Sequence, residues 1–144
     1  MCSPISVAAA LEQVDLSGFE RRAIGELSGG QQQRVFIARV LAAGTGLLFL
    51  DEPTANVDIR TENEIYQLLR ELNRVRGLTI VLVSHDIGAV TAYANRMFCL
   101  GADGFFEHCI DEGCHENFYR RLYGYEVVPH IHHRPDERGD FGHV

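Results

Sequence analysis

The sequence predicts an α/β fold, a mostly parallel sheet with flanking helices. The run 78–83 is continuously apolar and rich in branched residues, as strands buried on both faces of a parallel sheet are. A shorter apolar run, 46–50, ends directly before two acidic residues and predicts another buried strand. Between these runs, residues 58–76 repeat apolar side chains at helical spacing. Strands that alternate with helices in this way pair in parallel, so these segments predict one layered α/β domain.

Two helices are predicted before the first strand. Alanine and leucine favour a helix over 5–15, and turn-forming and charged residues follow over 16–26. The second helix should begin at Ser28, whose side chain can cap it, and end near Ala43. Gly44 then supplies the left-handed residue with which helices commonly end.

The long helix 58–76 and the elements after it complete the predicted layer. Its apolar stripe consists of Ile65, Leu68, Leu69, Leu72 and Val75. Gly77 ends this helix and separates it from the strand 78–83. The remaining predicted elements are a short helix at 86–94, strands near 95–100 and 104–108, and a helix near 115–123. The tail 129–144 is polar and rich in histidine, and we expect it to be disordered.

Length, charge and cysteine usage limit the class of protein. The chain has 144 residues, the size of one domain, and a formal net charge of −7, which argues against non-specific binding to nucleic acid or to anionic lipid. No apolar run approaches the roughly 18–20 residues that span a bilayer, and the first residues do not resemble a signal peptide. These features predict a cytoplasmic protein, in which the four cysteines are free thiols.

One motif, LSGGQ at 27–31, has the composition of an anion site. Ser28 can cap the helix that follows, while Gly29 and Gly30 leave backbone N–H groups unobstructed at its positive end. Such a helix N-terminus binds phosphate or carboxylate groups. Taken without its neighbours, the motif fits an ordinary Ser-Gly-Gly turn equally well.

Two strand ends carry the other candidate residues. Asp51 and Glu52 follow the strand 46–50, and His85 follows the strand 78–83. The carboxyl ends of parallel strands are where α/β proteins bind ligands. The alternatives are a solvated acidic turn and a structural histidine. Asp58, which begins the long helix, also fits a plain helix cap.

The chain resembles the ATPase subunit of an ABC transporter over most of residues 20–95. The resemblance rests on three pieces in this order: the segments 27–34 and 47–54 and the residue His85. The resemblance implies a partial P-loop NTPase fold that lacks the N-terminal Walker A half. Residues 1–128 would form the C-terminal part of the ATPase domain. Within it, 1–45 would be a remnant of the helical subdomain, and 46–128 would run from the Walker B motif to the switch histidine and the C-terminal strands.

The resemblance also implies roles for the candidate residues. The signature motif Leu27–Gln31 would bind the γ-phosphate of an ATP molecule that the opposite subunit holds. Asp51 would hold Mg²⁺, usually through water, and Glu52 would be the general base that polarises the attacking water. His85 would contact the γ-phosphate and help to orient the nucleophile. Asp58, the last residue of the loop 53–58, would take part in communication across the dimer.

The chain contains no lysine, so the phosphate-binding lysine of a Walker A loop is absent from it. The expected enzyme class is therefore an ATP hydrolase of which this chain is a fragment, from a truncated gene, a misassigned start codon or a split subunit. We expect no ATP hydrolysis by the isolated chain, because Asp51, Glu52 and His85 serve the site whose phosphate loop is missing. The signature motif could still complete a site on an intact partner.

The C-terminal third is similar to the ATPase subunits of zinc and manganese importers, in the segments 105–108, 122–124 and 130–133. The similarity implies import of a divalent metal. It makes His130, His132 and His133 candidate ligands for Zn²⁺, with a merely solvated tail as the alternative. A second possible metal site, His108 with Cys109, Cys114 and His115, matches no standard zinc spacing.

The family resemblance implies the partners as well. They are a second ATPase subunit in a head-to-tail dimer, a transmembrane permease that holds the protein at the inner face of the cell membrane, and indirectly a substrate-binding protein. Two other interpretations remain open. The chain could be a non-catalytic binding module that supplies its signature motif to a full-length ATPase. It could also belong to a DNA-maintenance ATPase, which its acidic charge and the absence of a long heptad run disfavour.

Overall fold

The computed structural model describes residues 4–55, 57–101, 104–108 and 121–122. The chain forms two compact units, Met1–Asn95 and Arg96–Val144. The first contains α1 (Val7–Glu12), a 3-10 turn (Ile24–Glu26), α2 (Gly29–Ala43), β1 (Leu47–Asp51), α3 (Ile59–Arg76), β2 (Thr79–Val83) and α4 (Ile87–Tyr93). The second contains β3 (Met97–Gly101) and β4 (Gly104–His108).

The helices begin and end where local chemistry dictates. Ser28 caps α2, and Gly44 (φ 68°) and Gly77 (φ 64°) end α2 and α3 in the left-handed conformation, as predicted. The first helix is shorter than the predicted 5–15. Ser6 caps it, accepting a hydrogen bond from the N–H of Ala9 (3.2 Å), and the chain leaves the helix through a turn in which Asp15 is left-handed (φ 58°).

The central strands β1 and β2 pair in parallel, which confirms the predicted sheet. The register runs from Leu47 opposite Thr79 to Asp51 opposite Val83. One further hydrogen bond, from the N–H of Glu52 to the carbonyl of Val83 (2.9 Å), extends the pairing past the last strand residue. The carboxyl ends of the two strands therefore lie side by side.

The core lies on one face of this strand pair. The stripe of α3 is buried there as predicted, except for Val75, which is exposed. Leu48 and Leu50 of β1 face the same core. The other buried members, from the α1 and α2 region and from α3 to the residue before β2, are Ala10, Leu11, Val14, Leu16, Ile37, Ala38, Leu41, Tyr66 and Leu78.

The opposite face of the strand pair is open, although the apolar run 78–83 is typical of strands that are buried on both faces. The outward side chains of Leu47, Phe49, Val81 and Val83 are all exposed. The physical reason is that the buried cluster takes its side chains from the helices and from the alternate positions of the strands. Within the described residues, no element covers the outward positions.

The second unit is a hairpin of β3 and β4, paired antiparallel from Met97 opposite His108 to Gly101 opposite Gly104. Of the helix predicted near 115–123, the structure describes Arg121 and Leu122, both helical, and the guanidinium of Arg121 lies 4.0 Å from the centre of the Phe106 ring. The tail 129–144 lies outside the described residues, so the division at residue 129 stays a prediction. In the part of the chain that the structure describes, no helix has the length and apolar character needed to cross a membrane.

Candidate functional site

Glu52 and His85 meet at the carboxyl ends of β1 and β2. Oε1 of Glu52 accepts a hydrogen bond from the backbone N–H of His85 (3.1 Å) and lies 2.8 Å from Nδ1 of the same residue. The imidazole is 86% exposed and the carboxylate 35%. The pair is therefore held at one end and open to solvent at the other, where a ligand can approach.

The backbone around Glu52 aims its carboxylate at His85. Glu52 adopts a left-handed conformation (φ 45°), which is uncommon for a residue other than glycine. Two backbone hydrogen bonds hold this turn: the N–H of Glu52 donates to Val83, and its carbonyl accepts from the N–H of Ala55 (3.1 Å). Strain of this kind is concentrated at functional sites, where the surrounding structure maintains it.

The neighbouring carboxylate favours the protonated imidazole. The hydrogen bond from Glu52 raises the pKa of His85 above its ordinary value of 6.5, and the charge of Glu52 raises it further. Asp86 and Glu62 add smaller contributions in the same direction. His85 can therefore hold a proton, and a positive charge, at a higher pH than a free histidine.

Asp51 is the last residue of β1, and its side chain is exposed. A carboxylate at this position supplies the oxygen ligands that Mg²⁺ prefers, so Asp51 fits the predicted role. Mg²⁺ usually keeps several waters and takes only one or two protein carboxylates. A dense cluster of protein ligands is thus not required for Mg²⁺. Among the described residues, no group of three or more histidine, cysteine or acidic side chains could hold a metal ion.

The predicted anion site forms a well-defined helix N-terminus. Oγ of Ser28 accepts a hydrogen bond from the N–H of Gln31 (3.3 Å), and Oε1 of Gln31 accepts one from the N–H of Ser28 (3.0 Å). This reciprocal capping box fixes the first turn of α2. Ser28 and Gly29 are exposed, whereas Leu27 is buried beneath them. The end of the helix is thus rigid and accessible to another molecule.

Asp58 caps α3. Its Oδ1 accepts hydrogen bonds from the N–H groups of Arg60 and Thr61 (both 3.1 Å), and its Oδ2 accepts one from Oγ1 of Thr61 (2.7 Å). These bonds, led by the Thr61 hydroxyl, lower the pKa of Asp58 below its ordinary value of 3.8. In the preceding loop, Oγ1 of Thr54 donates to Oε1 of Glu62 (2.9 Å). The interpretation of Asp58 as the cap of a helix is therefore confirmed. Its role in communication across a dimer stays a prediction.

Comparison with known proteins adds to this geometry. The sequence model of the ABC transporter family matches residues 4–55, which include the LSGGQ motif, Asp51 and Glu52. Over 127 residues the chain is 46% identical to the zinc uptake system ATP-binding protein ZurA of Listeria innocua. The chain belongs to the ABC transporter family. The match covers 88% of this chain but 48% of ZurA, so the chain spans about half the length of this curated relative.

Two further members agree with that assignment. The manganese transport system ATP-binding protein MntB of Listeria monocytogenes is 54% identical over 91 residues, which are 63% of this chain and 38% of MntB. A solved structure, an inward-facing metal-chelate type ABC transporter, superposes with a TM-score of 0.74 at 29% identity. That superposition covers 83% of this chain and 50% of the other. The chain thus forms part of the ABC ATPase fold.

The structure joins the signature helix to the Asp58 cap through a residue that sequence reasoning missed, Thr61. A Cβ atom built on Gly30 would collide with the Cγ2 methyl of Thr61, whose hydroxyl is bonded to Asp58. A Cβ on Gly29 would make an ordinary contact with Val57, at 3.6 Å. Gly30 is therefore needed for the close packing of two helix N-termini.

Arg34 is the second residue that the sequence did not single out. Its guanidinium donates to the carbonyl of Val14 (3.1 Å), to Asp15 (2.9 Å) and to Glu64 on α3 (3.3 Å), and its side chain is only 12% exposed. Arg34 thus ties α2 both to the turn after α1 and to α3. One signal was available, because Arg34 ends the run QQQR that begins within the LSGGQ motif. Its hydrogen-bond partners lie 19, 20 and 30 positions away in the sequence, so they could not be predicted from it.

A polar cavity of 610 Å³ lies beside these contacts, between the first turns of α2 and the adjacent face of α3. Its lining includes Ser28, Gln31, Arg34, Thr61 and Glu64. The tail residues His130, His132 and His133 lie outside the described residues, as do Cys109, Cys114 and His115. Both predicted transition-metal sites therefore remain hypotheses.

Proposed function

We propose that this chain is part of the ATP-binding subunit of an ABC importer for a divalent metal, zinc or manganese, and that ATP hydrolysis in the complete subunit powers transport. One observation supports the catalytic part above all others, the contact between Glu52 and His85 at adjacent strand ends. The names of the relatives ZurA and MntB support the choice of metal. Because one solved relative is a metal-chelate type transporter, a chelated metal should be tested as a substrate beside the free zinc and manganese ions.

In the proposed mechanism, Glu52 is the general base. Its Oε1 already accepts two interactions from His85, and its second oxygen remains available to a water molecule. His85, with a raised pKa and an exposed ring, can donate a hydrogen bond to a phosphate oxygen and so orient the attack. Glu52 would thus take the proton of water while His85 holds the phosphoryl group in line.

Asp51 would hold Mg²⁺ through its exposed carboxylate, directly or through water. The bound ion supplies charge neutralisation at the transferred phosphoryl group. Asp51 pairs with Val83 in the strand register and directly precedes Glu52, so its carboxylate lies at the same end of the sheet as Glu52. The chain contributes no lysine to the phosphates, so the rest of the nucleotide site must come from a segment that these residues do not include.

The capped N-terminus of α2 would act on a second ATP molecule. Ser28 and Gly29 are exposed at the positive end of a helix of 15 residues, which suits the γ-phosphate of a nucleotide held by a partner subunit. The proposal therefore includes a head-to-tail dimer with a second ATPase subunit. It also includes a permease that places the protein at the inner face of the cell membrane, and indirectly a substrate-binding protein.

A second candidate function is favoured by the absence of lysine. The isolated chain would be a binding module that supplies Leu27–Gln31 to a full-length ATPase and hydrolyses nothing itself. Co-purification with such an ATPase that is lost on Ser28→Arg would support this role. Zinc binding by His130, His132 and His133 is a separate part of the proposal, and equilibrium dialysis with Zn²⁺ against the triple alanine variant would test it.

A chimera tests the proposal in cells. The matched portion of ZurA would be replaced by the corresponding residues of this chain, and the chimera would be expressed in Listeria innocua that lacks its own ZurA. We expect restored uptake of radioactive zinc, loss of uptake on Glu52→Gln, and unchanged uptake on Arg60→Gln, a control on the exposed face of α3. Equal uptake by the chimera and its Glu52→Gln variant would refute the role of Glu52.

A further inference from the structure

Three side chains tie the turn after β1 to the helix α3. Oγ1 of Thr54 donates a hydrogen bond to Oε1 of Glu62 (2.9 Å), and the hydroxyl oxygen of Tyr66 lies 3.3 Å from the same Oγ1. A threonine hydroxyl has one proton to donate, and a carboxylate can only accept. Because Thr54 gives its proton to Glu62, the hydroxyl of Tyr66 donates to Thr54. The hydrogen bonds therefore run in one direction, from Tyr66 through Thr54 to Glu62.

Tyr66 is held firmly on α3. It is 2% exposed, and its ring stacks on that of Tyr93 in α4, with 5.3 Å between the ring centres and 12° between the ring planes. A buried tyrosine hydroxyl needs a hydrogen-bond partner, because burial removes its contacts with water. Thr54 supplies that partner. Tyr66 is thus a fixed donor that holds Thr54 from the side of the core.

Thr54 lies inside the turn that aims Glu52 at His85. The carbonyl of Glu52 accepts a hydrogen bond from the N–H of Ala55 (3.1 Å), so Pro53 and Thr54 are the two residues that the turn encloses. Glu52 has a left-handed backbone (φ 45°), which persists only where the surrounding structure enforces it. The tie from the Thr54 hydroxyl to α3 restrains this turn beyond its own backbone hydrogen bonds.

We propose that Tyr66 is a positioning residue for the contact between Glu52 and His85, and that it acts through the hydroxyl of Thr54. Tyr66 fixes Thr54, Thr54 fixes the turn, and the turn holds Oε1 of Glu52 against the backbone N–H of His85 (3.1 Å). The packing of α3 on α4, in which Tyr66 stacks on Tyr93, thereby reaches the ends of the strands. The importance for catalysis rests on the proposed function, in which Glu52 is the general base, whereas the positioning is measurable without ATP.

Hydrogen exchange of backbone amides in the isolated chain, followed by NMR, measures this positioning. The N–H of His85 is bonded to the Glu52 carboxylate and that of Ala55 to the Glu52 carbonyl, so both report on the turn. Local opening exposes these amides, whereas the amide of Leu69, in the buried middle of α3, requires global unfolding. Tyr66→Phe, which keeps the ring, should accelerate exchange at His85 and Ala55 about threefold or more. A purely structural role would accelerate exchange at Leu69 alone.

Matched variants test the route through Thr54. Tyr93→Phe keeps the ring stack and removes a hydroxyl that donates to Asn63 (3.3 Å), so it should leave exchange at His85 unchanged. Thr54→Val keeps the shape of the side chain but not the hydroxyl, and it should accelerate exchange at His85 at least as much as Tyr66→Phe does. Thr54→Ser, which retains the hydroxyl, should stay close to the original. Adding Tyr66→Phe to Thr54→Val should change nothing further, since both act on one chain of hydrogen bonds.

Turnover in the ZurA chimera tests the link to catalysis. Tyr66→Phe should lower kcat for ATP by about three- to tenfold and leave KM unchanged, because a displaced base slows the chemical step more than it weakens binding. Tyr93→Phe should leave kcat unchanged.

Three results would overturn the proposal. They are exchange at His85 that Tyr66→Phe leaves unchanged, effects of Tyr66→Phe and Thr54→Val that add, and an unchanged kcat in Tyr66→Phe when Glu52→Gln inactivates the same chimera. Failure of the proposed function would look different. Glu52→Gln would then leave turnover by the chimera unchanged, while exchange at His85 would still respond to Tyr66→Phe.

Discussion

Oε1 of Glu52 binds both the backbone N–H and the ring Nδ1 of His85, at 3.1 and 2.8 Å. The two residues are 33 positions apart, and they meet because β1 and β2 pair in parallel with Asp51 opposite Val83. The left-handed turn at Glu52 then points its carboxylate across to the neighbouring strand end. An acid and an imidazole in contact at a solvent-open sheet end are suited to proton transfer and anion binding.

The first prediction concerns the titration of His85. Because Glu52 raises the pKa of His85, the imidazole signal should titrate above 6.5, and Glu52→Gln should move the midpoint down towards that value. Glu62→Gln should lower it by less, since Glu62 contributes less. The stabilisation from the protonated pair is complete below the unfolded pKa and is lost as pH rises through the folded one. Two-dimensional NMR of the imidazole, assigned with His85→Asn, measures the midpoints; identical values with and without Glu52 would contradict the prediction.

The second prediction concerns Gly30. A methyl group there collides with Cγ2 of Thr61, whose hydroxyl bond to Asp58 prevents easy rotation, so Gly30→Ala should lower the free energy of unfolding by about 1–3 kcal/mol. Gly25→Ala is the control, because a Cβ atom there meets nothing within 4 Å. Urea unfolding followed by circular dichroism gives both values. Adding Thr61→Ser should recover most of the loss, and failure of that rescue would show that the collision is not the cause.

The third prediction compares two arginines that share one partner. Arg34 and Arg60 both pair with Glu64, but the side chain of Arg34 is 12% exposed and that of Arg60 is 88% exposed. Arg34→Met should lower the free energy of unfolding by about 1.5–3 kcal/mol, because it leaves the Val14 carbonyl without its donor. Arg60→Met should cost about 0–0.5 kcal/mol. Similar losses in the two variants would mean that burial does not govern these pairs.

The fourth prediction concerns the Asp58 cap. The hydrogen bonds from Thr61 and Arg60 lower the folded pKa of Asp58 below 3.8, so the charged cap stabilises α3 above that pH. This contribution should disappear as pH falls through the lowered pKa. The difference in thermal midpoint between the original chain and Asp58→Ala should therefore be largest near neutral pH and shrink in acid. A difference that does not change with pH would show that the carboxylate charge contributes nothing.

The sequence was sufficient for features that depend on local chemistry and on strand order. Ser28, Gly44 and Gly77 mark helix ends by their own conformational preferences, and parallel pairing follows from strands separated by a helix. Glu52 and His85 were assigned to one site through the family resemblance alone, and the parallel pairing of their strands is what brings them together. Contacts between helices were not predictable: nothing in the sequence says that Thr61 lies against Gly30. The apolar pattern of the strand 78–83 indicates that both faces prefer to be covered, but not whether the described residues supply the cover.

ATP hydrolysis by purified proteins tests the central claim most directly, that Glu52 and His85 form the hydrolytic pair of an ABC ATPase whose phosphate-binding segment lies elsewhere. The isolated chain should release no phosphate above background, whereas the chimera with the remaining portion of ZurA should hydrolyse ATP. In the chimera, Glu52→Gln should reduce kcat by about 10²-fold or more without weakening ATP binding. Two results would contradict this claim. They are ATP turnover by the isolated chain that Glu52→Gln abolishes, and ATP turnover by the chimera that Glu52→Gln leaves unchanged.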